Sequence, residues 1–168
     1  MKTSEKIARL RELMTEKGID AFIVPSSDPH ISEYPAAHWK SRTWLSGFTG
    51  SAGTVVVTAD KAGLWTDSRY FLQAESQLKD SGISLFKDGL PETPDLKGWL
   101  VSELPAGSCV GIDGDVYAAS EVQILKSFFE NNNIRLDATF KPFDLIWSNR
   151  PEIPSYKIFL LPEEFFPD

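Results

Sequence analysis

The sequence predicts an α/β fold, a mixed β-sheet flanked by helices on both faces. Segments with apolar residues at helical spacing alternate with short β-branched runs along the whole chain. One pair of runs, 54–58 and 63–66, is joined only by a short turn at Asp60-Lys61 and must form a hairpin, while the other runs are separated by helices, which makes the sheet mixed. A hydrophobic content of 42% with 12% aromatic residues supplies enough apolar surface for a core, so disorder is not expected.

In chain order, Ile7, Leu10, Leu13 and Met14 recur at helical spacing before Gly18, which predicts a helix over residues 4–17. The apolar run 20–25, ended by Pro25, is the first strand. A polar loop follows, with one helical turn expected at 31–34 and a short helix over 38–45. After the hairpin, Asp67 is placed to cap a helix over 67–79 that carries Tyr70, Phe71, Ala74 and Leu78 on one face, with Gly82 as its stop. Residues 83–86 alternate weakly, as an edge strand does. Thr93-Pro94-Asp95 reads as a helix start with Thr93 as the cap, and Leu96, Trp99, Leu100 and Leu104 form the buried face. Residues 110–113 are a strand, and a helix opening at Ser120-Glu121 turns Val122, Leu125, Phe128 and Phe129 inward until Asn131-Asn132-Asn133. A last strand is expected at 134–138 and a short helix at 141–147.

The tail changes character. Proline-punctuated residues 149–154 read as a linker, and the apolar run 157–161 as a new strand with nothing to pair against. The expected organisation is one domain over 1–148, then a linker and the start of a second domain over 149–168.

A net charge of −7 and a pI near 4.9 argue against nucleic acid and anionic membranes as partners. The chain starts with a charged amphipathic segment and has no long apolar span, so a cytoplasmic location is expected. Cys109, the single cysteine, sits in a predicted strand as a small buried residue.

The most distinctive stretch is Leu45-Ser46-Gly47-Phe48-Thr49-Gly50-Ser51-Ala52-Gly53, whose spaced glycines call for positive φ or close backbone approach. It fails as a phosphate loop because no lysine follows Gly53, and as a dinucleotide loop because it precedes a strand. It fails as a nucleophile elbow because Thr49 stands where the first glycine belongs. Metal-ligand spacing is lacking as well, since His30 and His38 are eight apart across Pro35 and far from Cys109. Ser51, His30 and Asp67 could be written as a triad, but such residues occur in most chains. Arg69 stands out more, because a cation in the first turn opposes the helix dipole unless it meets a carboxylate or a cleft. By these residues alone the chain is an acidic α/β domain without a self-sufficient catalytic constellation.

Three motifs together resemble the amino-terminal part of the Xaa-Pro aminopeptidase (aminopeptidase P) family. They are Pro25-Ser26-Ser27-Asp28-Pro29-His30-Ile31-Ser32-Glu33-Tyr34, Ser46-Gly47-Phe48-Thr49-Gly50-Ser51-Ala52-Gly53-Thr54 and Trp65-Thr66-Asp67-Ser68-Arg69-Tyr70-Phe71-Leu72-Gln73-Ala74. Trp99-Leu100 and Ile146-Trp147-Ser148-Asn149-Arg150-Pro151 resemble the long, three-domain form. The resemblance implies a creatinase/prolidase-type N-terminal domain followed by a middle domain and a catalytic domain. That last domain holds two divalent ions, commonly manganese, on aspartate, histidine and glutamate ligands, and it removes an N-terminal residue that precedes proline. None of those ligand segments lies in these residues. The implied role is therefore non-catalytic: walling the cleft of another domain, within one chain or across a homodimer, with proline-containing peptides as ligands. Arg69 is the residue expected to reach substrate, and His30 and Glu33 are expected to shape a loop. Two other expectations remain open at this point, a free-standing peptide- or partner-binding domain and an autonomous hydrolase using Ser51.

Overall fold

The computed structural model describes residues 1–162 and 165. Its elements are α1 (Thr3–Lys17), β1 (Ala21–Val24), α2 (Ser41–Ser46), β2 (Thr54–Thr58), β3 (Ala62–Thr66), α3 (Phe71–Gln77), β4 (Ser84–Lys87), α4 (Leu96–Glu103), β5 (Cys109–Ile112), α5 (Ala119–Glu130), β6 (Arg135–Asp137) and α6 (Phe143–Ile146). Short 3-10 turns cover Ala37–Trp39, Ser68–Tyr70 and Gly114–Val116.

The strands form one six-stranded sheet in the order β4-β3-β2-β1-β5-β6. β2 pairs antiparallel with both β1 and β3, whereas β3/β4, β1/β5 and β5/β6 are parallel. Only β2 therefore runs against the rest, and the mixed sheet follows from that one hairpin.

Alternation along the strands divides the core in two. Phe22, Val24, Val55, Val57 and Leu64 face α1, α2, α3 and α6, where they meet Leu10, Met14, Leu45, Ala74 and Phe143. Ala21, Ile23, Val56, Val110 and Ile112 point the other way, onto Trp99 and Leu100 of α4 and Phe129 of α5. Both faces of the sheet are covered, as the continuous apolar strands require.

Several local expectations are corrected. Asp95, not Thr93, caps α4: its Oδ1 accepts from the N–H groups of Lys97 and Gly98 at 3.1 and 3.0 Å, and Pro94 lies outside the helix. A carboxylate one residue from the first turn wins over a hydroxyl three residues away because capping distance is fixed by geometry. The helix expected over 67–79 opens as the 3-10 turn Ser68–Tyr70, capped by Asp67, and is α-helical only over Phe71–Gln77. Residues 31–34 form no helical turn; the Asp28 carboxylate organises them instead. The run 157–161 forms no strand, and its residues are exposed. A strand needs ladder partners for its N–H and C=O groups, and none of the sheet's pairings involves this run. Of the expected second-domain start, residues 163, 164 and 166–168 lie outside the described residues.

Candidate functional site

Two loops leave the same end of the sheet and face one another. The first follows β1. Asp28, only 5% exposed, accepts from the N–H groups of His30 and Ser32 at 2.9 and 3.0 Å, and the Asp28 carbonyl accepts from Ile31 N–H at 3.0 Å. Burial opposes ionisation of Asp28, but the donors of Ser32 and His30 prevail and hold its carboxyl below the usual range. The tight loop forces Ile31 to φ 54°, a left-handed conformation that a β-branched residue rarely adopts. His30, Glu33 and Tyr34 are exposed, and Glu33 and Tyr34 border the cleft described below.

The second is the glycine loop between α2 and β2. Gly47 ends α2 at φ 77°, in the left-handed region. Gly50 is required by contact: a Cβ there would lie 2.3 Å from the Phe48 ring and 2.8 Å from the Tyr70 ring. These glycines hold backbone geometry, and none is aimed at a ligand phosphate.

Arg42 ties the loops together. Its Nε donates to Ser26 Oγ of the first loop at 2.6 Å, Nη1 to the Phe48 carbonyl at 3.0 Å, and Nη2 to the Gly50 carbonyl of the second. The guanidinium also lies 4.9 Å from the centre of the Phe48 ring. Arg42 is 4% exposed, and burial lowers its pKa to about 10, which leaves it charged at neutral pH. Sequence reasoning missed this residue. The signal was a cation on the apolar face of a short helix, three residues before Leu45, where only a satisfied or functional arginine survives burial.

Between the loops lies a cleft of about 380 Å³ lined by Ser26, Tyr34, Trp39, Arg42, Gly50 and Ser51, among others. At its rim Ser51 Oγ and Tyr70 OH are 2.6 Å apart. Ser51 therefore pairs with Tyr70 rather than His30, and Asp67 is engaged by Arg69, so the written triad is not assembled.

Arg69 stands beside Tyr70, its guanidinium 5.2 Å from the ring centre. Its Nε and Nη2 donate to Asp67 Oδ1 and Oδ2, both at 2.8 Å, in a bidentate fork. The fork holds Asp67 at about 2, chiefly through that hydrogen bond, and raises Arg69 further above its already high value. The negative charge of Glu33, which lines the cleft, makes a small contribution to the same rise. Arg69 is exposed and Nη1 makes no hydrogen bond among the described residues. The site thus brings Arg69, Ser51, Tyr70 and Glu33 to one edge, and leaves His30 outside.

His38 takes another direction. Its Nδ1 lies 2.6 Å from the Pro151 carbonyl, and since a carbonyl only accepts, Nδ1 carries the proton. Cys109 is buried in β5, where desolvation raises its thiol. Among the described residues no group of three His, Cys, Asp or Glu side chains could hold a metal ion, and no helix is long and apolar enough to cross a membrane.

The model of the Creatinase/Prolidase N-terminal domain matches residues 6–146. Aminopeptidase P2 of Arabidopsis thaliana is 45% identical over 159 residues, covering 92% of this chain and 22% of its own length. Xaa-Pro aminopeptidase 2 of Rattus norvegicus is 39% identical over 165 residues, covering 97% and 24%. Among solved structures, X-prolyl aminopeptidase from Caenorhabditis elegans, described as a cytosolic enzyme with a di-nuclear active site, superposes with a TM-score of 0.89 at 33% identity, over 98% of this chain and 28% of that one. The N-terminal domain of the cytoplasmic peptidase PepQ from Mycobacterium tuberculosis superposes with a TM-score of 0.55 at 26% identity, over 79% and 91%. The chain spans about a quarter of the length of the curated relatives it matches.

Proposed function

The chain belongs to the creatinase/prolidase N-terminal domain family, and from that premise we propose that it is the non-catalytic N-terminal domain of a cytoplasmic, metal-dependent Xaa-Pro aminopeptidase. The observation that carries this reading is the 45% identity along nearly all of this chain, set against a match to only 22% of the relative. Identity at that level over a whole domain supports a shared role, and the unmatched remainder leaves room for the chemistry elsewhere.

In this reading residues 1–148 form the domain, and 149–168 lead into the middle and catalytic domains of the same protein. Two divalent ions, manganese by the family resemblance, belong to that catalytic domain; the residues described here supply none of their ligands. Proline-containing peptides are the substrates, and the face bearing the cleft and Arg69 walls the approach to the metals, within the chain or across a homodimer. Arg69 suits a substrate contact because Asp67 fixes its plane while Nη1 stays free for a peptide carbonyl or carboxylate.

The test compares this chain with the longer protein on Gly-Pro peptides. The longer protein should hydrolyse them, lose activity with a chelator and regain it with manganese, while residues 1–168 alone show none. Robust metal-independent turnover by residues 1–168 would overturn the proposal.

A further inference from the structure

Residues 149–154 read from sequence as a linker, yet Arg150 and Pro151, with Trp147 just before them, are built into the fold. Trp147, 8% exposed, stacks on Trp44 with ring centres 5.2 Å apart and an interplanar angle of 18°. Trp44 is itself held from α1, whose Lys6 Nζ donates to its carbonyl at 2.6 Å and lies 4.8 Å from its ring centre. Arg150 donates through Nε to the His38 carbonyl at 3.0 Å and through Nη1 to Asp144, and its guanidinium lies 5.5 and 5.9 Å from the Trp39 and Trp147 rings. Its side chain is only 10% exposed. His38 Nδ1–H then donates to the Pro151 carbonyl. Hydrogen bonds thus run in both directions between the exit segment and the turn Ala37–Trp39, from Arg150 to His38 and from His38 to Pro151, and the next residue, Trp39, is a wall of the cleft.

We propose that Trp147, Arg150 and Pro151, gripped by Trp44 and His38, form a clamp that fixes the direction in which the chain leaves this domain, with Arg150 as the positioning residue. The clamp transmits that direction to the cleft wall through Trp39.

Two further observations fit. Past the clamp, residues 152–162 are exposed and make no side-chain hydrogen bond among the described residues, so the gripping contacts stop at Pro151. The match to the C. elegans enzyme covers 98% of this chain, which leaves no room for residues 147–162 outside it, whereas the PepQ domain matches only 79%. The clamp segment is therefore matched within a chain of which this one covers only 28%. The transmission of position rests on the proposed multidomain reading; the grip itself does not.

The test has two arms. In the 168-residue chain, 15N relaxation should give the Arg150 amide an order parameter near the ~0.85 of rigid backbone, and Trp147→Ala should drop it below ~0.6. In the longer protein, spin-label distances from this domain to the next should form one narrow distribution that Arg150→Ala broadens, with the melting temperatures of the domains unchanged and a partial return in Arg150→Lys. A mobile Arg150 amide in the wild-type chain, or an unchanged distance distribution in Arg150→Ala, overturns the proposal. Absence of Xaa-Pro hydrolysis by the longer protein would instead remove the proposed activity and leave the clamp standing.

Discussion

At the residue scale the cleft is held by groups that satisfy one another rather than by a catalytic set. Removing Arg42 leaves the Phe48 and Gly50 carbonyls without their donor, and each unpaired buried group costs about 1–3 kcal/mol. Arg42→Met should therefore lower the unfolding free energy by about 2–4 kcal/mol in urea titrations, a large share of a domain's stability. Ile31 predicts the opposite sign. Its left-handed backbone costs about 1–2 kcal/mol for a residue with a Cβ, and the side chain is exposed, so Ile31→Gly should raise stability by up to about 1 kcal/mol in the same assay. Neither residue announced itself in the sequence. Burial of Arg42 depends on Ser26 and Gly50, which come from different loops, and the strain at Ile31 depends on the Asp28 turn. Asp67 was expected as a cap and Arg69 to meet a carboxylate or a cleft, and the structure joins the two in one fork.

At the element scale, local signals did well where they were also the tertiary ones. The hairpin of β2 and β3, the faces of α1, α4 and α5, and the glycine stop at Gly18 all combine periodicity or turn chemistry with burial on one side. They did poorly where a non-local partner decides. The apolar run 157–161 has strand composition but no neighbour among the described residues, and the turn expected at 31–34 gives way to a loop in which the Asp28 carboxylate captures the N–H groups of His30 and Ser32. That loop has a consequence for pH. The folded pKa of Asp28 is depressed, so its contribution is complete above the ordinary carboxylate range and lost as pH falls through that range to the folded value. Asp28→Asn should flatten the acid limb of stability against pH below about pH 4 and leave the neutral limb parallel. For α4, Asp95→Ala should cost about 1 kcal/mol, measured by thermal unfolding, whereas Thr93→Ala should be near neutral.

At the scale of the whole molecule, the fold was legible because one hairpin in an otherwise helix-separated series fixes a mixed sheet, and because apolar strands require cover on both faces. The site was only partly legible. The sequence singled out the glycine loop, and the structure shows it as one wall of a cleft whose other wall, the 25–35 loop, is bound to it through Arg42. Around that cleft lie hydroxyls, aromatics and an oriented arginine, which suit binding and orientation more than bond making. The central claim is that this face binds substrate for chemistry performed elsewhere. Steady-state kinetics of the longer protein carrying Arg69→Ala test it most directly. Loss of one charged hydrogen bond of about 1.5–3 kcal/mol should raise KM for Xaa-Pro peptides by roughly tenfold or more, with kcat and metal content unchanged. A KM equal to that of the wild type would contradict the claim.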